Sequence, residues 1–293
     1  MNSDLTASGT NPIAPLGREE YVEQAHFFGS LAERMQANVP AQEVLQSVQE
    51  EVLATTKLPM AIDFMLSELR HAGVFSTAMA KLGHYFTPFQ SYVIGEAENE
   101  RGRFDLRIGL EVLQREAAYR AGEPTRQGVF LYQFETLCRN RLGYDRGLDA
   151  VAADPAFDPT WREWITTIRR QVGMVDIADL IYVHSELYRR RNMRHSASSA
   201  AGEDAAAHAT LFGEQEGRIA LANRKKDPLF LFAAFHRQLK YPEVPRPAPP
   251  DEEKALLPQI ARRLEQLEKR ISLVEEEQRG GFDLTKFYHR PEP

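Results

Sequence analysis

Two pairs of side chains have the spacing of a metal site: Glu23 with His26, and Glu68 with His71. A Glu-x-x-His pair puts a carboxylate and an imidazole on one face of a helix, as in helical bundles that hold two iron ions. Such a site also needs two further inward glutamates on separate helices, and the apolar pattern places Glu23 on the polar side of its helix. A metal-binding protein or enzyme built on these four residues is therefore an alternative function, and we assign no cofactor.

Cys138 is the only cysteine, which excludes an internal disulfide and a metal site with several cysteine ligands. At an offset of 103 residues it coincides with Met35, an apolar position of the first helix, which favours buried packing over a role as a nucleophile. A run of aspartates lacks the glycine and terminal glutamate of a calcium loop, so we predict turn and cap roles for Asp145, Asp149, Asp154 and Asp158. No phosphate-binding glycine loop and no serine- or zinc-hydrolase motif occurs, which favours a non-enzymatic protein without deciding the question.

Arg189, Arg190, Arg191 and Arg194 form a basic run, with a second run at 224–226. Such runs contact phosphates or acidic partners, or they are solvated helix ends where cations favour the helix dipole. Acidic residues outnumber basic ones 42 to 36, and the net charge of -6 excludes a generally basic nucleic-acid coat. Nucleic-acid binding is therefore a further alternative, and protein partners are the leading expectation.

Helices must position these residues, because apolar side chains recur at helical spacing throughout 18–122. The first helix carries an apolar stripe formed by Val22, Ala25, Phe28, Leu31, Ala32 and Met35. Gly73 is placed to end the third helix, Ser76 to cap the fourth, and Thr87-Pro88 to begin the fifth. The sequence therefore predicts an all-α fold that begins with a six-helix bundle at 18–122, after a disordered arm at 1–17.

A second helical block is predicted at 123–241, with a flexible segment of small residues at 196–209. Apolar positions of the first domain coincide with apolar positions here at a constant offset of 103 residues, as for Leu45 and Leu148. The offset persists across two turns, where independent helices would slip, which is typical of an internal duplication. A true copy would be partial, because the match fades after Tyr182. The alternative is that two sets of amphipathic helices align by chance.

Prolines at 242–251 predict a stiff extended spacer. The helix predicted at 252–279 has apolar residues at alternating spacings of three and four, the seam of a coiled coil: Leu257, Ile260, Leu264, Leu267, Ile271 and Val274. Flanking arginines and glutamates match opposite charges in a parallel pair, so the seam predicts a homodimer through 257–274. The alternative is one amphipathic helix folded back on the main body. An aromatic tail follows at 280–293.

A characteristic order of motifs runs through residues 24–120: Phe27-Phe28 in a helix that ends before Pro40-Ala41, then Gly73-x-Phe75-Ser76-x-Ala78-Met79, Phe86-Thr87-Pro88, Gly95-Glu96 and a helix at 102–113. This order resembles the cytoplasmic helical domain of the inner-membrane platform protein, the F-type component, of type II secretion and type IV pilus machines. The resemblance implies a helical scaffold domain that contacts other helices or an assembly ATPase, in a family that carries the domain twice. The transmembrane helices of that family are absent, so we do not expect the membrane platform itself.

The chain has no run of about 18 apolar residues that would span a membrane, and its first residues lack the pattern of a secretory signal. A hydrophobic fraction of 43% is sufficient for a packed core. We therefore expect a cytoplasmic, all-helical adaptor or scaffold without membrane insertion. It would bind other proteins through its outer surface, in a secretion or pilus-type assembly if the resemblance holds.

Overall fold

The computed structural model describes residues 14–37, 39–99, 104–196 and 209–247. Within these ranges the chain forms thirteen α-helices and no β-strand, apart from an isolated bridge between Ser185 and Phe212. The prediction of an all-α fold is therefore confirmed for the described residues.

The first six helices are α1 (Arg18–Gln36), α2 (Ala41–Glu51), α3 (Leu58–Ala72), α4 (Phe75–Lys81), α5 (Pro88–Ala97) and α6 (Leu106–Ala121). The others are α7 (Arg126–Arg139), α8 (Tyr144–Ala152), α9 (Pro159–Gln171), α10 (Ile177–Val183), α11 (Glu186–Ser196), α12 (Glu214–Ala222) and α13 (Pro228–Leu239). None of these described helices is both long and apolar enough to cross a lipid bilayer.

Local residues set several helix ends where the sequence predicts them. Gly73 ends α3 with a φ of 73°, a left-handed conformation that suits glycine. Thr87 begins α5 with a capping box, in which its hydroxyl accepts from the Gln90 N–H and the Gln90 side chain accepts from the Thr87 N–H. Asp158 accepts a hydrogen bond from the Trp161 N–H at the start of α9. These starts and ends follow from short-range sequence.

The start of α4 differs from the prediction. Its N-cap is Val74, which supplies no side-chain cap. The carboxylate of Glu98, which follows α5, accepts hydrogen bonds from the backbone N–H groups of Phe75 and Ser76 at 2.5 and 2.9 Å. The prediction that Ser76 caps this helix is therefore wrong, because a neighbouring element satisfies the free N–H groups.

The buried face of α1 is shifted from the predicted stripe. Leu31 is buried as predicted, but Val22 is 46% exposed. The buried face instead includes Tyr21, Glu23 and Gln24. The two polar side chains are tolerated there because each makes a hydrogen bond to a neighbouring backbone group.

Helices α7 to α10 repeat the spacing of α1 to α4. Helices α2 and α8 begin 103 residues apart, and α1 and α7 end 103 residues apart. Helices α3 and α9 begin 101 residues apart, and α4 and α10 begin 102 residues apart. The turns after α1 and α7 are closed by equivalent bonds, from the Val39 N–H to the Arg34 carbonyl and from the Leu142 N–H to the Leu137 carbonyl. The predicted offset of 103 residues thus holds at the end of α1 and the start of α2, and it shortens by one or two residues at α3 and α4.

The two sets of helices share one core. The described helices belong to one compact unit, which ends at Arg246. Tyr132 of α7 donates its hydroxyl to the Val112 carbonyl of α6 at 2.8 Å. Tyr92 of α5 donates to the Gly143 carbonyl before α8 at 2.9 Å. Both bonds satisfy tyrosine hydroxyls at the contact between the two sets, where their rings add apolar area.

The first residues of the predicted spacer lie on this body. Tyr241 and Val244 are buried, and Arg115 of α6 donates to the Glu243 carbonyl at 2.7 Å. This stretch has no regular secondary structure, as its prolines predict. Other predictions fall outside the described residues: most of the arm at 1–17, most of the segment at 196–209, the helix at 252–279 with its Leu257 to Val274 seam, and the tail at 280–293.

Candidate functional site

The first predicted metal pair makes structural contacts. Glu23 is only 8% exposed, and its Oε2 accepts a hydrogen bond from the Leu53 N–H at 2.9 Å. The expectation that Glu23 lies on a polar face of α1 is therefore wrong, because the turn between α2 and α3 covers it and supplies a donor. His26 Nε2 lies 3.5 Å from Glu51 Oε2 of α2.

The second pair lies on α3. Glu68 pairs with Lys81 of α4 at 2.5 Å, and His71 is exposed. Within the part of the chain that the structure describes, no three histidine, cysteine, aspartate or glutamate side chains are grouped so that they could hold a metal ion. The two Glu-x-x-His pairs are therefore not brought into one site.

The basic run lies on α11 and is partly neutralised. Arg190 pairs with Glu214 of α12, which also pairs with Arg218 at 2.5 Å. A cleft of about 540 Å³ lies beside these residues, between α11 and α12. Arg224, from the second basic run, pairs with Asp179 of α10. Carboxylates of the chain itself thus engage one arginine of each basic run, which lowers the charge left for phosphates.

A buried charge cluster joins α6, α7 and the turn after α8. Arg120 of α6 donates to Glu116 Oε1 at 2.8 Å and to Asp154 Oδ2 at 2.5 Å. Gln133 of α7 donates to the same two carboxylates at 2.7 and 2.9 Å. The Arg120, Glu116 and Asp154 side chains are 3%, 1% and 0% exposed. These four residues are called the charge cluster below.

The charge cluster has no clear signal in the sequence. Glu116 and Arg120 are four residues apart on a helix, a spacing that is common for exposed ion pairs. Asp154 was predicted as a turn residue, and its Oδ1 does accept a hydrogen bond from the Ala156 N–H at 2.9 Å. Neither signal reveals burial, because burial depends on helices that are distant in sequence.

One proton makes the charge cluster neutral, since it holds two carboxylates and one guanidinium. Burial raises the pKa of Glu116 above its usual value, although Arg120 acts in the opposite direction. Burial lowers the pKa of Arg120, but Asp154 and Glu116 outweigh this effect and hold it well above its usual value. The raised pKa of Glu116 favours its protonated form. Since these side chains are closed from solvent, a ligand at the described surface does not reach them, and we expect the cluster to stabilise the interior.

A pocket of about 690 Å³ lies between α4, α5 and α8. Its lining includes Ser76 and Gly95, which belong to the motifs of the family resemblance, together with Ser91 and Arg146. A Cβ at Gly95 would lie 3.5 Å from the Ser76 Cβ, an ordinary contact distance. The approach of α4 to α5 therefore does not require glycine at this position.

A second pocket, of about 390 Å³, lies between α7, α9, α10 and the start of α13 and is called the apolar pocket. Its volume is within the range of about 300–1,000 Å³ that is usual for small-molecule sites. The lining is mainly apolar and includes Phe134, Ile168, Val172, Ile177, Leu180 and Pro228. The turn between α9 and α10 forms one wall, and Gly173 allows it with a φ of 84°.

Cys138, Tyr144, Asp176 and Lys226 bring polar groups to the apolar pocket. Burial raises the pKa of the Cys138 thiol to about 11, so the thiol stays protonated at neutral pH and is a poor nucleophile. Burial also raises the pKa of the Tyr144 hydroxyl, which therefore stays neutral. Lys226 is exposed, and its ammonium has no ion pair with any described carboxylate. The thiol, hydroxyl and ammonium can donate hydrogen bonds and one positive charge, and the Asp176 carboxylate accepts hydrogen bonds from two backbone N–H groups.

Large apolar side chains are exposed around the apolar pocket. Met174, Val175 and Tyr144, which line it, are 76%, 41% and 38% exposed. Leu229 and Phe230, directly after the lining residue at the start of α13, are 46% and 64% exposed. These five residues are called the apolar rim. Exposed apolar side chains scattered singly are normal, whereas a group beside a pocket is typical of an interaction site.

The described sites thus separate into a closed charge cluster and an accessible apolar pocket with its rim. Comparison of the chain with models of known protein families, with curated proteins and with solved structures finds no match to any of them.

Proposed function

We propose that this chain is a cytoplasmic, non-enzymatic helical adaptor that binds a partner protein through the apolar rim. The observation that carries the proposal is the exposure of Met174, which lines the pocket, and of Phe230, two residues after the lining residue Pro228. They are two of the most exposed large apolar side chains described. Burying such side chains against a partner contributes about 25 cal/mol for each Å² of apolar area removed from water. Methionine also adapts its shape to different partner surfaces.

The described polar groups support an adaptor more than an enzyme. The interior charge cluster is closed from solvent, and the thiol of the accessible pocket is held protonated. The exposed surface of the pocket and rim is apolar, which suits the core of a protein interface.

The partner belongs to a secretion or pilus-type assembly in this proposal. The motif order of 24–120 supports it, as does the second set of helices, since the resembled family carries its domain twice. We accordingly propose that α1–α6 are a bundle of that type and that α7–α10 are a partial second copy. The matching helix spacing and the equivalent turn bonds at Val39 and Leu142 support the copy.

A binding assay with purified components tests this proposal. The full-length chain is mixed with cytoplasmic components of type II secretion and type IV pilus machines, including the assembly ATPase. We expect binding by calorimetry and its loss in a Met174→Asp, Phe230→Asp double variant, because charges in an interface core must be desolvated. Met60→Asp is the matched control, since Met60 is 75% exposed on α3, outside the apolar rim. Equal loss in the control, or no binding to any component, contradicts the proposal.

Self-association through 257–274 is a separate part of the proposal, carried by the seam of Leu257, Ile260, Leu264, Leu267, Ile271 and Val274. Light scattering with size-exclusion chromatography compares the mass of the full chain with that of a chain ending before Asp251. We expect the full chain to have the mass of a dimer and the shortened chain to have the mass of a monomer. A Leu264→Glu variant of the full chain should also be monomeric. Equal monomeric masses for the full and shortened chains contradict self-association.

A further inference from the structure

We propose that the apolar pocket binds a linear aliphatic carboxylate, with the chain among its apolar side chains and the carboxylate at the Lys226 ammonium. This inference goes beyond the adaptor function, because it assigns a small-molecule ligand to the chain. It depends on the shape, lining and charge of the pocket and on no partner protein.

The lining favours an aliphatic chain. Ile168 of α9 and Ile177 of α10 are buried, and Val172, Leu180 and Phe134 add further apolar side chains to the walls. The pocket is held open by α7, α9, α10 and the start of α13, so it exists without a ligand. A preformed concave apolar site of about 390 Å³ is suited to a flexible chain, which fills irregular space better than a planar ring does.

The charges at the edge favour an anionic head group. Asp176 accepts hydrogen bonds from two backbone N–H groups, and Asp227 accepts one at the start of α13. Asp179 pairs with Arg224. The carboxylate of Asp176, which also lines the pocket, and those of Asp227 and Asp179 therefore already have hydrogen-bond or ion-pair partners. Lys226 lines the pocket without a described ion pair. A carboxylate ligand at the mouth would give Lys226 an ion-pair partner.

The first test is calorimetry of the full-length chain with dissolved linear carboxylates, from hexanoate to tetradecanoate. Each carboxylate is used below its micelle concentration. We expect one site and an affinity that rises about fourfold for each buried methylene until the pocket is filled. Dodecanol and dodecylamine serve as matched head-group controls. The carboxylate should bind about two- to fivefold more tightly than the alcohol, and the amine more weakly than both. Equal affinities for the three head groups overturn the proposal.

Cys138 reports whether the ligand occupies this pocket. Because it is the only cysteine and lines the pocket, its reaction with a small methanethiosulfonate reagent follows one site in the unaltered protein. We expect the reaction rate to fall in proportion to the occupancy measured by calorimetry. Binding of dodecanoate without protection of Cys138 places the ligand elsewhere and overturns the proposal.

Two lysine variants separate the pocket charge from general surface charge. Lys226→Gln should weaken dodecanoate binding about two- to fivefold and leave dodecanol binding unchanged. Lys225→Gln is the matched control, because Lys225 is adjacent in sequence but does not line the pocket. An equal effect of both substitutions, or none, overturns the proposal. Binding to phosphatidylglycerol vesicles without binding to any dissolved carboxylate also overturns it, because the chain then recognises a lipid surface.

Discussion

Replacing Arg120 by methionine tests whether the charge cluster stabilises the interior as described. Methionine fills much of the space of the arginine stem but makes none of its hydrogen bonds. The change leaves Glu116 and Asp154 buried without their cation. Removing one partner of a buried ion pair is costly because the remaining charge is uncompensated. We therefore expect a large loss of stability.

The hydrogen bonds of Arg120 set the size of the expected loss in the free energy of unfolding. Arg120 makes two short hydrogen bonds, of 2.8 Å to Glu116 and 2.5 Å to Asp154, and two longer ones of 3.3 Å to the same carboxylates. At about 1.5–3 kcal/mol for each bond to a charged group, the two short bonds together contribute about 3–6 kcal/mol. Breaking buried ion pairs in other proteins costs about 3–5 kcal/mol. We expect Arg120→Met to lower the free energy of unfolding by about 3–5 kcal/mol.

Urea unfolding, followed by far-UV circular dichroism and tryptophan fluorescence, measures this change. Both tryptophans, Trp161 and Trp164, are buried and report loss of the core. Arg126→Met is the matched control, because Arg126 pairs with Asp158 at 2.5 Å while its side chain is 54% exposed. Such an exposed pair contributes about 1 kcal/mol or less.

A loss below about 1 kcal/mol in Arg120→Met would refute the reasoning, because it would mean that the buried carboxylates do not need the guanidinium. A double variant with Glu116→Gln adds a second check. Since the two side chains are in contact, the double variant should lose less stability than the sum of the single variants. Additive losses would show that the pair is not coupled.

Three further predictions concern the protonation of Glu116, the packing at Gly217 and the reactivity of Cys138. Burial raises the pKa of Glu116 in the folded state, so the folded state holds this proton more tightly than the unfolded state does. The resulting contribution to the free energy of unfolding is complete below the usual pKa of 4.5 and is lost as the pH rises through the folded pKa. The stability of the wild-type chain relative to Glu116→Gln should therefore fall as the pH rises above about 4.5, measured by urea unfolding at several pH values; a constant difference contradicts this assignment. Gly217→Ala should lower the free energy of unfolding by about 1–3 kcal/mol, because the new Cβ would lie 2.7 Å from the Ser185 Cβ and 2.9 Å from the Leu187 Cβ. Thermal unfolding measures this loss, with Gly17→Ala as the control, because a Cβ at Gly17 meets no neighbouring atom. Alkylation of Cys138 should accelerate about tenfold for each pH unit between pH 7 and 10, since its thiol pKa is about 11, and a rate that levels off near pH 8.5 would contradict that shift.

Much of the secondary structure was predictable because short-range rules determine it. Thr87 with Gln90 forms a capping box from residues three apart, and Gly73 ends α3 because glycine adopts a positive φ at low cost. The apolar spacing along 18–122 requires helices, whichever partner they face. Neighbours within one or two turns are enough to fix these features.

The orientation of helices was less predictable. The stripe that includes Val22 indicated one face of α1, yet the structure buries Tyr21 and Glu23 beside it. Hydrogen bonds from other elements make burial of such polar groups acceptable, and these donors are 30 or more residues away in the chain. The Glu98 carboxylate at the start of α4 is a second case, in which a distant acceptor replaces the expected cap.

The sequence by itself determined that this chain is helical, where several helices begin and end, and that one cysteine and no phosphate-loop or hydrolase motif are present. Only the tertiary structure decided that Glu116, Arg120 and Asp154 form a closed charge cluster and that side chains from Phe134 to Pro228 form one apolar pocket. The physical reason is the distance along the chain over which each interaction acts. Helix propensity and capping act between residues a few positions apart, whereas burial and cavities are properties of helices packed against distant parts of the chain.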